Sequence, residues 1–100
     1  MSDPEQLLRV IRVIIMGRVQ GVWYRGWTVE TARALGLQGW VRNLSSGDVE
    51  AVFAGSRAGV ETMQARCHQG PPAAQVQSVT AEAWTGPVPA GFHQRATERH

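Results

Sequence analysis

"LLRVIRVIIMGRVQGVWYRGWTVETARALG", residues 7–36, changes its hydrophobic period partway along. The opening "LLRVIRVIIM" is rich in β-branched residues and reads as a strand. Arg9 and Arg12 interrupt it at positions of opposite parity, so the alternation is imperfect. With Arg12 facing solvent, Ile11, Val13 and Ile15 fall on the core side. The closing "YRGWTVETARALG" places Tyr24, Thr28, Ala32 and Leu35 at helical spacing, and Gly36 suits the left-handed position just past a helix end. Between strand and helix lies "GRVQGVWYR", residues 17–25, with two glycines and no acidic residue; arginines stand near both ends. Such a connection is either a tight turn or a cradle for an anion.

Further along, "LQGWVRNL" is a short strand, "SSGD" is a hairpin turn, and "VEAVFA" returns as the partner strand. Ser56 is placed to cap a second helix whose inner face is Val60, Met63 and Cys67. "GPP" at residues 70–72 stops that helix. "VQSVTAEAW" is a further strand, and the polar tail holds a possible short fifth strand over residues 92–96. The order strand, helix, strand, strand, helix, strand is the split βαβ arrangement: an α+β fold with two helices on one face of an antiparallel sheet. Residues 1–6 read as a loose lead-in and residues 7–97 as one domain.

Composition narrows the functions. The chain has 100 residues, 43% hydrophobic and 18% charged, with a net charge of +2. All ten basic residues are arginines, so a Schiff-base lysine and a P-loop lysine are excluded. The arginines are scattered, which is not the footprint of a nucleic-acid binder. A single cysteine, Cys67, excludes an intramolecular disulfide and a thiolate metal cluster. No apolar stretch is long enough to cross a bilayer, and the N-terminus lacks a secretory pattern, so a cytoplasmic protein without membrane partners is expected.

Topology brings the loop to a partner. In the split arrangement the third strand lies between the first two and runs antiparallel to both. The first two are then parallel, and their C-terminal ends share one sheet edge. The loop after the first strand and Asn43, which ends the second, therefore meet there across about 10 Å of backbone. Gly17 and Gly21 permit the angles that turn successive N–H groups inward as a nest. The loop also enters a helix N-terminus, which favours negative charge. Arg25, at the start of that helix, adds a planar fork suited to two phosphate oxygens. Asn43 is either a turn residue before "SSGD" or an amide that holds a water beside the anion.

"GRVQGVWYR" resembles the acylphosphatase signature, glycine-x-valine-glutamine-glycine-valine-x-aromatic-arginine. "GWVRNLSSGDVEAVFAG", residues 39–55, is similar to that family's second signature through Trp40, Arg42, Asn43, Gly47, Val49 and Gly55. "GPPAAQV" also has a family look, and the resemblance spans about residues 8–84. It implies a ferredoxin-like α/β sandwich, in agreement with the element order. It further implies that Arg25 binds substrate, that Asn43 orients water, and that Gly17, Arg18, Val19, Gln20, Gly21, Val22, Trp23 and Tyr24 form the phosphate cradle. The implied activity is hydrolysis of the carboxyl–phosphate bond of a small acyl phosphate, by a monomer, with no metal and no other cofactor. The tail "FHQRATERH" is more polar than the family's usual closing strand.

Other residues invite blander readings. His68, His93 and His100 have no metal-ligand spacing. Cys67 reads as a small core residue, and Trp27, Trp40 and Trp84 as packing residues. Trp23, within the loop, either packs or borders the substrate's acyl group. Arg18 is either solvated or adds positive potential at the mouth. Asp48 and Glu50 form no catalytic carboxylate pair. One rival reading keeps the fold without turnover, as a phosphate- or acyl-phosphate-binding module like a domain of carbamoyl-transferring maturation proteins. Another, RNA binding, needs stacking aromatics on the central strands, where the third strand offers only Phe53.

Overall fold

The first described strand is β1 (Leu8–Arg18), and α1 (Tyr24–Ala34), β2 (Gln38–Asn43) and β3 (Val49–Ser56) follow it. After these come α2 (Arg57–Cys67), β4 (Gln75–Ala83) and β5 (Phe92–Gln94). The computed structural model describes residues 8–97; the expected lead-in over residues 1–6 lies outside them, as do Leu7 and residues 98–100.

The strands form one sheet in the order β4-β1-β3-β2-β5. β3 runs antiparallel to β1 from Leu8↔Ser56 to Ile15↔Val49, and antiparallel to β2 from Gln38↔Ala54 to Asn43↔Val49. β1 and β2 are therefore parallel, as the element order predicts, and Asn43 stands level with Ile15 across β3. The sheet is not wholly antiparallel, however. β5 pairs parallel with β2 through Gly39↔Phe92, Trp40↔His93 and Val41↔Gln94. The reason is geometric. β4 runs antiparallel to β1 and ends at the edge where β2 begins, so a chain crossing along that edge must enter β5 in the direction of β2. β5 is also shorter than the expected residues 92–96, although the Arg95 N–H still donates to the Val41 carbonyl at 2.8 Å.

The core lies between the helices and one face of the sheet. Ile11, Val13 and Ile15 are buried there with Ala51, Phe53 and Val41, and the rings of Phe53 and Phe92 stack at 5.5 Å. α1 contributes Tyr24, Thr28 and Ala32, and α2 contributes Val60, Met63 and Cys67, the faces that helical spacing predicts. Ser56 caps α2: its Oγ accepts from the Gly59 N–H at 3.1 Å. Gly36 ends the first helical segment at φ 71°, where a side chain would be strained. At Gly39, φ is 135° and a Cβ would run into the Val52 carbonyl, so only glycine lets β2 approach β3 this closely.

The opposite face carries charge. Glu50 is 4% exposed on the central strand, and Arg12 Nε and Arg42 Nε each donate to one of its carboxylate oxygens at 2.6 Å. Burial alone lowers the pKa of Arg12, but hydrogen bonds and charge from Glu50 and Glu82 more than offset it and raise the pKa. The guanidinium carbons of Arg42 and Arg95 lie 4.9 and 4.7 Å from the Trp40 ring centroid, and Trp84 meets that ring edge-on at 6.3 Å.

The Tyr24 hydroxyl donates to the Cys67 carbonyl at 2.6 Å and ties the start of α1 to the end of α2. Burial raises the pKa of both side chains, that of the Cys67 thiol to about 12 from 9.0. Both groups hold their protons more tightly folded than unfolded, so their stabilisation is complete below pH 9 and is lost as pH rises toward 12. Cys67 alone removes about 1 kcal/mol between pH 9 and 10, by retaining a proton that the unfolded thiol releases. Urea unfolding at both pH values is expected to show this loss in the wild type and a smaller one in Cys67→Ala. Equal losses in the two proteins would place the effect elsewhere.

Candidate active site

β1 does not stop at the loop's first glycine. Its pairing with β4 shifts register between Met16 and Gly17 and then continues through Gly17↔Val76 and Arg18↔Gln75. Gly17, at φ 128°, is needed for that close approach: a Cβ would run into the Gln75 carbonyl oxygen and lie 2.8 Å from Gln77 N. The loop proper is residues 19–23.

Each loop residue has a separate structural reason for its place. The Val19 side chain is buried in the core and anchors the loop's start. Gln20 Nε2 donates to the carbonyls of Leu44 and Asp48, both at 2.8 Å, and so straps the loop to the turn that follows Asn43. Gly21 has φ 74°, and Trp23 has φ 68° and ψ 23°, the left-handed region that non-glycine residues seldom enter. These angles reverse the chain into α1, where the Trp23 carbonyl accepts the first helical bond from the Trp27 N–H at 3.0 Å.

The loop leaves donors unspent. Among the described residues, the N–H groups of Gln20, Gly21, Val22 and Trp23 donate no backbone hydrogen bond. α1 has no side-chain cap and no acidic residue in its first turn, so its positive end is not neutralised locally. Arg25, half-buried in that first turn, makes no hydrogen bond or ion pair with a described residue. Across the opening stands Asn43, whose Oδ1 is buried and has no hydrogen-bond partner among the described residues. A buried acceptor in that state costs about 1–3 kcal/mol unless a ligand or water serves it.

These groups line one cavity of about 160 Å³. Of the residues expected at the site, Arg25 and Asn43 line it together with Val19, Gln20, Gly21, Trp23 and Tyr24. Gly17, Arg18 and Val22 are not part of the lining, the first two because they belong to β1. The Tyr24 hydroxyl is committed to the Cys67 carbonyl. Two lining residues were not anticipated, Gly26 and Gln94. Gln94 shares a face with the buried Phe92 two positions earlier in β5, and that parity was the available signal. Glu50, buried on the opposite face between Arg12 and Arg42, has no part in the cavity. No group of three or more His, Cys, Asp or Glu among the described residues is placed to hold a metal ion.

The Gln20 strap can be tested without ligand. Gln20→Leu leaves two carbonyls unserved and is expected to cost about 1–2 kcal/mol. Gln20→Glu keeps the shape but sets a carboxylate against the same carbonyls, and at pH 8 it should cost more. The urea midpoints of the three proteins give the comparison; a silent Gln20→Glu would show that the amide does not hold the loop.

The chain is similar to known proteins over most of its length. The acylphosphatase family model matches residues 11–94. The chain is 51% identical over 88 residues to the acylphosphatase of Rhodospirillum rubrum, covering 88% of this chain and 97% of that one. It is 57% identical over 81 residues to the acylphosphatase of Trichormus variabilis, covering 81% and 80% of the two chains. The solved structure of an acylphosphatase from Coxiella burnetii superposes with a TM-score of 0.85 at 37% identity, over 95% of this chain and 100% of that one. With the family model matched over most of the chain and relatives more than half identical along most of their length, the chain belongs to the acylphosphatase family.

Proposed function

We propose that Arg25, Asn43 and the backbone N–H groups of residues 20–24 carry out the hydrolysis of the carboxyl–phosphate bond of acyl phosphates, the activity of the family. The phosphoryl group lies in the loop, its oxygens accepting from the unspent N–H groups and from the Arg25 guanidinium. Asn43 Oδ1 accepts from a water and aims it at phosphorus opposite the carboxylate. The new bond joins the water oxygen to phosphorus, the bond to the carboxylate oxygen breaks, and the carboxylate leaves with its electron pair. The water's proton passes to a phosphoryl oxygen, so the chain supplies no general base.

The substrate's own reactivity makes this small inventory sufficient. An acyl phosphate carries a good leaving group, and positioning with charge stabilisation can account for catalysis. The observation that carries the reading is the buried, unpartnered Asn43 Oδ1 facing an arginine that has no protein partner among the described residues. The lone buried thiol of Cys67 needs no oxidising compartment, in keeping with the cytoplasm.

Benzoyl phosphate hydrolysis in EDTA, with inorganic phosphate as competitive inhibitor, tests the roles separately. Asn43→Ala is expected to lower kcat about 100-fold or more with little change in phosphate inhibition, since it removes a group that acts on water. Arg25→Lys keeps the charge but loses the fork, and is expected to lower kcat/KM about 100-fold and weaken phosphate inhibition. Turnover near wild type in either variant removes that residue from its role.

A further inference from the structure

The cavity has a deep polar end and an apolar rim. Asn43 Oδ1 is buried, whereas the Trp23 side chain, lining the same cavity, is 57% exposed. An indole this exposed contributes little to the core. Its position is nevertheless held by two features of the backbone. Trp23 is the one non-glycine residue with positive φ among the described residues, at a conformation that costs about 1–3 kcal/mol. Gly26 lies beneath the ring: a Cβ there would stand 2.7 Å from indole Cδ1 and Cε2. The first turn of α1 therefore lacks a side chain where the indole needs room, at the cost of a glycine inside a helix. Gln94, exposed on β5, contributes a polar side chain to the same lining.

We propose that the Trp23 indole, seated on Gly26, is the acyl-group platform, and that it selects planar aromatic acyl phosphates over short aliphatic ones. The proposal rests on the reading in which the loop and Arg25 hold the phosphoryl group. With that group at the deep end, the acyl substituent leaves the cavity past Trp23. A planar ring can lie against the indole and remove apolar surface from water on both partners, whereas an acetyl methyl covers little of it. Trp23 acts here through its side chain and separately from the backbone N–H that belongs to the phosphate loop.

The measurement is the ratio of kcat/KM for benzoyl phosphate to that for acetyl phosphate, with the inhibition constant of inorganic phosphate read alongside. Trp23→Asn suits the left-handed backbone and removes the ring. It is expected to lower the ratio about tenfold, chiefly through the KM for benzoyl phosphate, while phosphate inhibition stays within about twofold. Trp23→Phe is expected to recover most of the ratio. Gly26→Ala leaves the ring in the chain but displaces it, and is expected to lower the ratio without loss of fold, because alanine suits a helix better than glycine. An unchanged ratio in Trp23→Asn overturns the proposal, as does an equal fall for both substrates with weakened phosphate inhibition. The parent reading fails differently: Arg25→Lys and Asn43→Ala would keep turnover while the ratio still responded to Trp23.

Discussion

β3 is the constraint on which the rest of the molecule depends. From Val49 to Ala54 every residue is buried, so neither face of this strand tolerates a change of register. A slip of one residue would carry Phe53 to the charged face and Glu50 into the core. Because β3 pairs antiparallel with both neighbours, fixing it fixes them relative to each other. Ile15 and Asn43 both pair with Val49, which sets the end of β2 level with β1 three residues before that strand gives way to the loop. The distance between the loop after β1 and the Asn43 amide is thus a property of strand pairing, not of side-chain flexibility.

Glu50 shows how that strand is kept in place on the face without helices. A carboxylate only 4% exposed is costly, and two arginines are needed to satisfy it. One comes from β1 and the other from β2, so the carboxylate couples the same two strands whose ends form the site. The net stabilisation from such a buried arrangement is small, but a shifted register would leave the carboxylate unpaired. The apolar face supplies stability through burial, and the charged face supplies discrimination among registers.

What could be read from sequence follows from which interactions are local. The helices, their inner faces and the Ser56 cap depend on spacing within a dozen residues and were legible. So was the meeting of Arg25 with Asn43, since it needs only the element order and the parallel course of two strands. The role of Gly17 was not legible, because a glycine closing an apolar run looks the same whether it opens a loop or fits a bulge against a neighbouring strand. Gln20 was read as part of the cradle, while its side chain serves two carbonyls more than twenty residues away. Gln94 reaches the cavity only because the chain crosses the sheet edge after β4, through a segment with no hydrophobic period. The left-handed turn at Trp23 carries no glycine to announce it.

The site is built by dividing polar groups into those that are satisfied and those that are not. Gln20, Tyr24 and Val19 are fully engaged by carbonyls or core, and they hold the loop rigid. The N–H groups that the loop presents, the Arg25 guanidinium and Asn43 Oδ1 have no such engagement among the described residues. In an ordinary loop the N–H groups would turn to solvent or to a cap, and the asparagine would close its own turn. Here the left-handed residues, the strap and the level strand ends deny them those alternatives. In the proposed reaction, folding has already ordered the groups that act, so binding an anion need not order them again. The folded state retains polar groups without partners among the described residues, and under the proposed function substrate and water supply those partners where charge develops.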